Sequence, residues 1–400
     1  WDTKSRRMNV LKYALKQVFN DTSLLPDKKI RLSWQAMWNN GDSINKYNEL
    51  SYWYGGNTAN PGKGKTPGAT DVGSTTSGRK NNMKVLDATH RKNFIEFIDY
   101  LLPSGGTPSH GMFKNADAYL RAQSNGKPVD GGPWATNPGG TDKLSKEFLG
   151  CRRNYHIMMT DGRWNGTASG GNLVSTSFTL PDGTAYTANS AQTRVYYDNY
   201  KNTLADWAFY SWATNLQPSI YSATDSKKQI SLTSEYRKAP ESETIGGTSI
   251  NKYWNPKYNP ANWPHLVTYT IGFSDEAVTW PGASSIQKPT ATTPFGYDGS
   301  FPDFVSGNKK WPTMDNENKR ALDLWHAAIN GRGSFYAVTK GEDLEKAFRE
   351  IIGVINSQAE PDRSSAAVSG TSYEDKPVGL YITYNEPKEA WKGEVKSYQV

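Results

Sequence analysis

The sequence predicts an α/β fold: a mostly parallel sheet with helices on both faces, carrying several long loop insertions. Two observations set the class. Apolar stretches of strand length, His156–Thr160 and His265–Phe273, alternate along the chain with stretches of helical period, as βαβ units require. Between them run segments rich in Gly, Asn, Ser and Thr that far exceed an ordinary connection. Apolar residues make up only 36% of the 400 residues, yet Trp, Tyr and Phe reach 12%, so one core is expected beneath many aromatic-rich loops.

The elements follow in order. Leu11, Ala14, Leu15, Val18 and Phe19 share one face of a helix over Met8–Phe19, which Asn20-Asp21-Thr22 ends. Ile30–Met37 alternates as a strand, Trp38–Gly78 reads as an insertion, and Met83–Leu86 as another strand. A helix over His90–Leu102 presents Phe94, Phe97, Ile98 and Leu101, and a further helix covers Met112–Ala122. His156–Thr160 has the unbroken apolar centre of a parallel strand covered on both faces. Arg163–Asn199 is an insertion of hairpin character, and a buried helix starts at Leu204 and stops before Pro218.

The strand His265–Phe273 sets Val267, Tyr269, Ile271 and Phe273 on one side, and Ser274–Pro312 is the next insertion. The helix through Leu324 breaks at Asn330-Gly331 and leads into a short strand. A last amphipathic helix then begins near Gly341, with Leu344, Phe348, Ile351, Ile352 and Ile355 on its buried stripe. Gln358–Thr371 reads as a linker, and Val378–Tyr384 with Trp391–Tyr398 as a β-hairpin. Residues 1–357 are therefore assigned to the α/β domain, and residues 358–400 to the linker and the start of a C-terminal β domain.

Several function classes fit poorly. The net charge of +7 is spread along the chain without a basic block, so no nucleic-acid partner is expected. No apolar run is long enough to span a membrane. The histidines have no His-Glu-x-x-His pattern around them, and the glycine clusters match neither a P-loop nor a dinucleotide fingerprint. His326 and His265 read as structural. Among Asp182, Asp198, Asp206 and Asp275 no spacing singles out a catalytic pair. Hence no catalytic and no cofactor-binding residues are assigned. Cys151, just before a strand, is expected to be a buried thiol. Trp38, Trp53, Tyr54, Trp134, Trp164, Trp254 and Trp280 lie in the insertions. There they either offer rigid contact area or close small clusters under their own loops.

Two blocks carry a resemblance: Tyr155-His-Ile-Met-Met-Thr-Asp-Gly162 and Leu324-Trp-His-Ala-Ala-Ile-Asn-Gly-Arg-Gly333, supported by Leu204-Ala-Asp-Trp-Ala-Phe-Tyr-Ser-Trp212. Together they resemble the adhesion domain of the PilC/PilY family of type IV pilus tip proteins. The resemblance implies a von Willebrand factor A-like fold, doubly wound, with a C-terminal segment leading into a β-propeller. It further implies a non-enzymatic adhesin and pilus biogenesis factor that acts in retraction and twitching motility. Its expected partners are minor pilins at the pilus tip and a host-cell or abiotic surface ligand. Its expected place is the bacterial surface, at the pilus tip, outer membrane-associated or secreted.

Such folds bind a divalent ion above the carboxyl ends of their strands. The resemblance makes Thr107 of Gly105-Gly106-Thr107-Pro108 and Asp161 of Thr160-Asp161-Gly162 the metal ligands here, for Mg²⁺ or another divalent cation. The family's Asp-x-Ser-x-Ser loop is absent, which implies that the chain begins after the family's first strand and holds an incomplete site. Two other readings remain: an intracellular chelatase-type A-domain that couples an ATPase to its target, and a secreted carbohydrate-active enzyme.

Overall fold

The computed structural model describes residues 3–35, 81–100, 107–161, 163–280, 282–291 and 294–359, together with the β segments 365–367, 372–373, 376–385 and 392–399. The Trp38–Gly78 insertion, Leu101, Gly105, Gly106 and Gly162 lie outside the described residues.

At the centre is a parallel three-stranded sheet of β1 (Asn154–Thr160), β2 (Leu266–Phe273) and β3 (Arg332–Val338), with β2 in the middle. Val267 stands opposite Tyr155 and Ile271 opposite Met159, while Ile271 also faces Tyr336. All eight residues of β2 are buried. β1 departs from expectation. It is not covered throughout: Met158 and Thr160 are buried and the rest are half-buried, because β1 is the outer strand among the described residues.

The Asn330-Gly331-Arg332-Gly333 turn explains its own composition. A Cβ on Gly331 would come within 2.5 Å of the Thr268 Cβ, and one on Gly333 would sit on the Thr268 carbonyl oxygen. Only glycine lets β3 approach β2 here, where the register slips between Thr268 and Thr270. Arg332 adopts φ +60 and lays its guanidinium 4.2 Å from the Trp212 ring, donating to the carbonyls of Asn255 (3.0 Å) and Tyr258 (3.2 Å).

Among the described residues six helices have ten residues or more: α1 (Thr3–Asn20), α2 (Ala88–Tyr100), α3 (Ser109–Arg121), α4 (Leu204–Ala213), α5 (Ala321–Asn330) and α6 (Gly341–Ala359). α4 and α5 pack on each other and on β2. α4 starts at a capping box: Asp206 N donates to Thr203 Oγ1 (3.0 Å) and Thr203 N to Asp206 Oδ2 (3.1 Å), satisfying two donors that would otherwise be orphaned. α1 and α2 enclose a smaller cluster in which Phe19 meets Phe94 at 4.5 Å and Trp34 meets both Phe94 and Phe97. The strand expected over Ile30–Met37 shrinks to Arg31–Leu32. It pairs antiparallel with Lys84–Val85, and the described residues beyond it, Ser33–Gln35, join no ladder.

The described loop tryptophans face inward. Trp134, Trp164, Trp254 and Trp280 are all buried, so each closes a local cluster instead of offering contact area. Trp280 stacks on Trp325 at 5.4 Å and Trp134 donates its indole N–H to the Leu120 carbonyl (2.8 Å). Cys151 also corrects expectation: it is exposed, because it sits in the turn before β1 and outside the ladder.

The chain forms two compact units, Trp1–Gly353 and Val354–Val400. In the second, Lys376–Asn385 and Lys392–Gln399 pair antiparallel, with Val378 opposite Gln399 and Asn385 opposite Lys392. Ser365–Ala367 adds a short strand to the other edge of Lys376–Asn385. Among the described residues no helix is long and apolar enough to cross a membrane.

Candidate functional site at the carboxyl edge of the sheet

β1 and β2 are parallel, so their carboxyl ends emerge together, and ligand sites in such sheets lie just beyond those ends. β1 ends at Thr160, and Asp161 follows it, exposed. β2 ends at Phe273, and Ser274 caps the short helix Asp275–Thr279 by accepting from Ala277 N (3.2 Å). The same Ser274 hydroxyl donates to the Asp161 carbonyl and ties the two strand ends together.

The Asp161 carboxylate accepts from Thr160 Oγ1 and from Arg163 N, each at 3.3 Å. The Arg163 guanidinium lies 3.0 Å from Glu276 Oε1. A backbone N–H at the start of the short helix holds Glu276 below the usual carboxylate range, with Arg163 adding to the effect.

Thr107 reaches the same edge. Its N–H donates to Asn165 Oδ1 (2.8 Å), and Asn165 N donates back to the Thr107 carbonyl (2.9 Å). Asn165 Nδ2 also reaches Glu317 Oε1 at 3.2 Å. The two residues assigned as ligands therefore belong to loops that Asn165 joins.

As a metal site this set falls short. Thr107 and Asp161 supply hard oxygens, but Mg²⁺ needs about six ligands in near-octahedral order. Among the described residues no group of three or more His, Cys, Asp or Glu side chains is placed to hold a metal ion. Ser274 is already committed to its cap, and the Arg163 cation is already paired next to Asp161. The described donors alone do not fit a closed divalent site.

What holds the loop was not assigned from sequence. Trp164 is 2% exposed and lies under the 161–165 turn. Arg320 covers its ring at 4.1 Å and donates to its carbonyl (2.6 Å), while His110 meets the ring edge-on at 4.2 Å. The indole N–H donates to Asp323 Oδ2 at 3.0 Å. Asp323, fully buried, also accepts from Leu204 N (2.9 Å) and Ala205 N (3.1 Å), the first N–H groups of α4. Burial pushes its carboxyl up to about 6, and the N–H donors pull against that, leaving a carboxylate at neutral pH on the dipole of α4. One buried acid thus joins α5, α4 and the candidate loop. The signal in the sequence was an aspartate one step before the apolar run Leu324-Trp325 on a buried helix.

His326 and His265 lie in the core. His265 is fixed by the Trp263 carbonyl and the Asn259 amide, and His326 stacks on Trp311 at 4.0 Å.

With this geometry in hand, known proteins decide the relationship. The chain is 34% identical over 340 residues to the type IV pilus biogenesis factor PilY1 of Pseudomonas aeruginosa strain PAK, covering 82% of this chain and 26% of that protein. Over that stretch the chain is homologous to PilY1. PilY1 of strain PAO1 is 33% identical over 80% of the chain, and that of strain UCBPP-PA14 is 31% identical over 82%. The chain spans about a quarter of the length of these curated relatives. No family model and no solved structure matches it.

Proposed function

We propose that this chain is the adhesive, non-enzymatic module of a type IV pilus biogenesis factor. It acts at the pilus tip on the bacterial surface, outer membrane-associated or secreted, and takes part in retraction and twitching motility. The observation that carries this reading is the relationship to PilY1 over four-fifths of the chain. The parallel sheet with its open, polar carboxyl edge supports a von Willebrand factor A-like fold whose ligand edge holds Thr107 and Asp161. Minor pilins at the tip and a surface ligand on a host cell or an abiotic support are the partners this reading assigns.

In this reading Thr107 and Asp161 are assigned as two ligands of a divalent-cation site that the described residues leave incomplete. Here Asp161 offers the carboxylate, Asn165 fixes the Thr107 loop and Ser274 fixes the strand ends.

The test uses piliated bacteria carrying Thr107→Ala or Asp161→Ala in the full-length protein. Surface attachment should fall while pili still assemble; unchanged attachment and twitching in both strains would sink the reading. Titration of Mg²⁺, Mn²⁺ and Ca²⁺ against the purified chain and its Asp161→Ala variant isolates the metal: tight binding that survives the substitution would refute the ligand assignment.

A further inference from the structure

Beside the Asp323 junction lies a second buried polar group that the carboxyl edge does not use. His326 of α5 is 0% exposed. Its Nε2 sits 3.1 Å from the Tyr196 carbonyl, so Nε2 carries the proton and donates it. That leaves Nδ1 as an acceptor. Nδ1 has no hydrogen bond of normal geometry and faces Asp198 Oδ2 at 3.4 Å; the Val195 carbonyl also acts on the ring but already accepts from Trp311 Nε1 at 2.7 Å. Asp198 accepts from Tyr200 N (2.8 Å) on its other oxygen. With both groups buried and the imidazole neutral, only a protonated Asp198 gives this pair a hydrogen bond.

We propose that Asp198 and His326 share one proton and with it fasten the segment Thr193–Thr203 to α5, as a latch that loosens when the medium turns from neutral to alkaline. Loss of the proton sets two acceptors against each other. A swap of imidazole tautomer does not cure this, since it moves the clash to the Tyr196 carbonyl. The freed charge is also badly placed. It faces Asp206 of α4, Asp323 of α5 and the buried Tyr186 phenol, and the two donors it has, Tyr200 N and Thr203 Oγ1 at 3.5 Å, offset this only in part. The cation beside Tyr196, Arg332, is already held by two carbonyls and two aromatic rings.

The pH window follows from the two directions. Burial first, then Asp206 and Asp323, push Asp198 from its ordinary 3.8 up to about 9. An acid raised in the folded state contributes stability that is present at low pH and is lost as pH rises toward that value. Burial lowers His326 to about 3, so its contribution is complete above its ordinary 6.5 and is lost only on acidification. Above neutrality His326 stays neutral, and the groups that titrate are the two facing acids, Asp198 and Asp206, the second raised by its own burial and by Asp323 to about 7.

The test is amide hydrogen exchange of residues 194–203 at pH 6.5 and pH 9, corrected for intrinsic base catalysis, in wild type and in Asp198→Asn, which cannot ionise. Protection in wild type should fall about tenfold or more, a factor equal to about 1.4 kcal/mol, while the variant, in which only Asp206 is left to titrate, loses distinctly less. Equal loss in both proteins, or none in wild type, overturns the proposal. Should the variant fail to fold, nitrogen NMR of His326 in wild type decides. An acceptor-type Nδ1 at neutral pH is expected, and an imidazolium or an Nδ1–H tautomer refutes the shared proton.

Discussion

Replacing Asp323 with alanine strips three buried N–H donors of their acceptor: the Trp164 indole and the first two amides of α4. Each orphaned donor costs about 1–3 kcal/mol, which sums to roughly 3–9 kcal/mol. Removing a buried charge offsets part of this. Burial has raised the carboxyl from 3.8 to about 6, and each unit corresponds to about 1.4 kcal/mol, so the relief is about 3 kcal/mol. The net expectation, from the middle of that range, is a loss of about 3 kcal/mol, or a melting point lower by about 6 °C for a domain of this size. Asp323→Asn should lose less, since its amide oxygen keeps an acceptor. The assay is urea and thermal unfolding of both variants beside wild type. A melting point within about 1 °C of wild type for Asp323→Ala would refute the claim that this acid joins α4, α5 and the candidate loop.

Further substitutions probe other links. Gly333→Ala sets a Cβ on the Thr268 carbonyl and should cost about 2–3 kcal/mol by the usual scale of core overpacking, read as a drop in unfolding midpoint. Gly353→Ala, on an open helix face with nothing near its Cβ, should instead stabilise by up to about 1 kcal/mol. Arg320→Ala removes the cover of Trp164 and should cost about 1 kcal/mol, with amide exchange at Asn165 rising while that of β2 holds. Unchanged exchange at Asn165 would show that the loop does not depend on this clamp.

Legibility in the sequence tracked periodicity. Helices with a clear stripe, such as Leu11 to Phe19 and the run Leu204–Ala213, could be placed because their side chains report one buried face. β2 was equally plain, since all its residues are apolar or β-branched apart from Gly272. The extent of Arg31–Leu32 was not legible, because ladder length depends on a partner that local alternation does not reveal. The Trp164 anchor was hidden for a related reason. Its partners, His110, Arg320 and Asp323, come from three distant stretches and share no spacing. Cys151 misled because proximity to a strand in sequence says little about membership of its ladder.

The inward-turned tryptophans have a consequence for how such a surface diversifies. Trp134, Trp254 and Trp280 are buried and reach Leu120, Tyr186 and Trp325 respectively. Each loop is pinned from below like a tent at its pegs, so the outer residues can drift, exchange or lengthen while the pegs stay put. A lineage can then remodel the outward face of the module one loop at a time, with the α/β framework and its folding left intact.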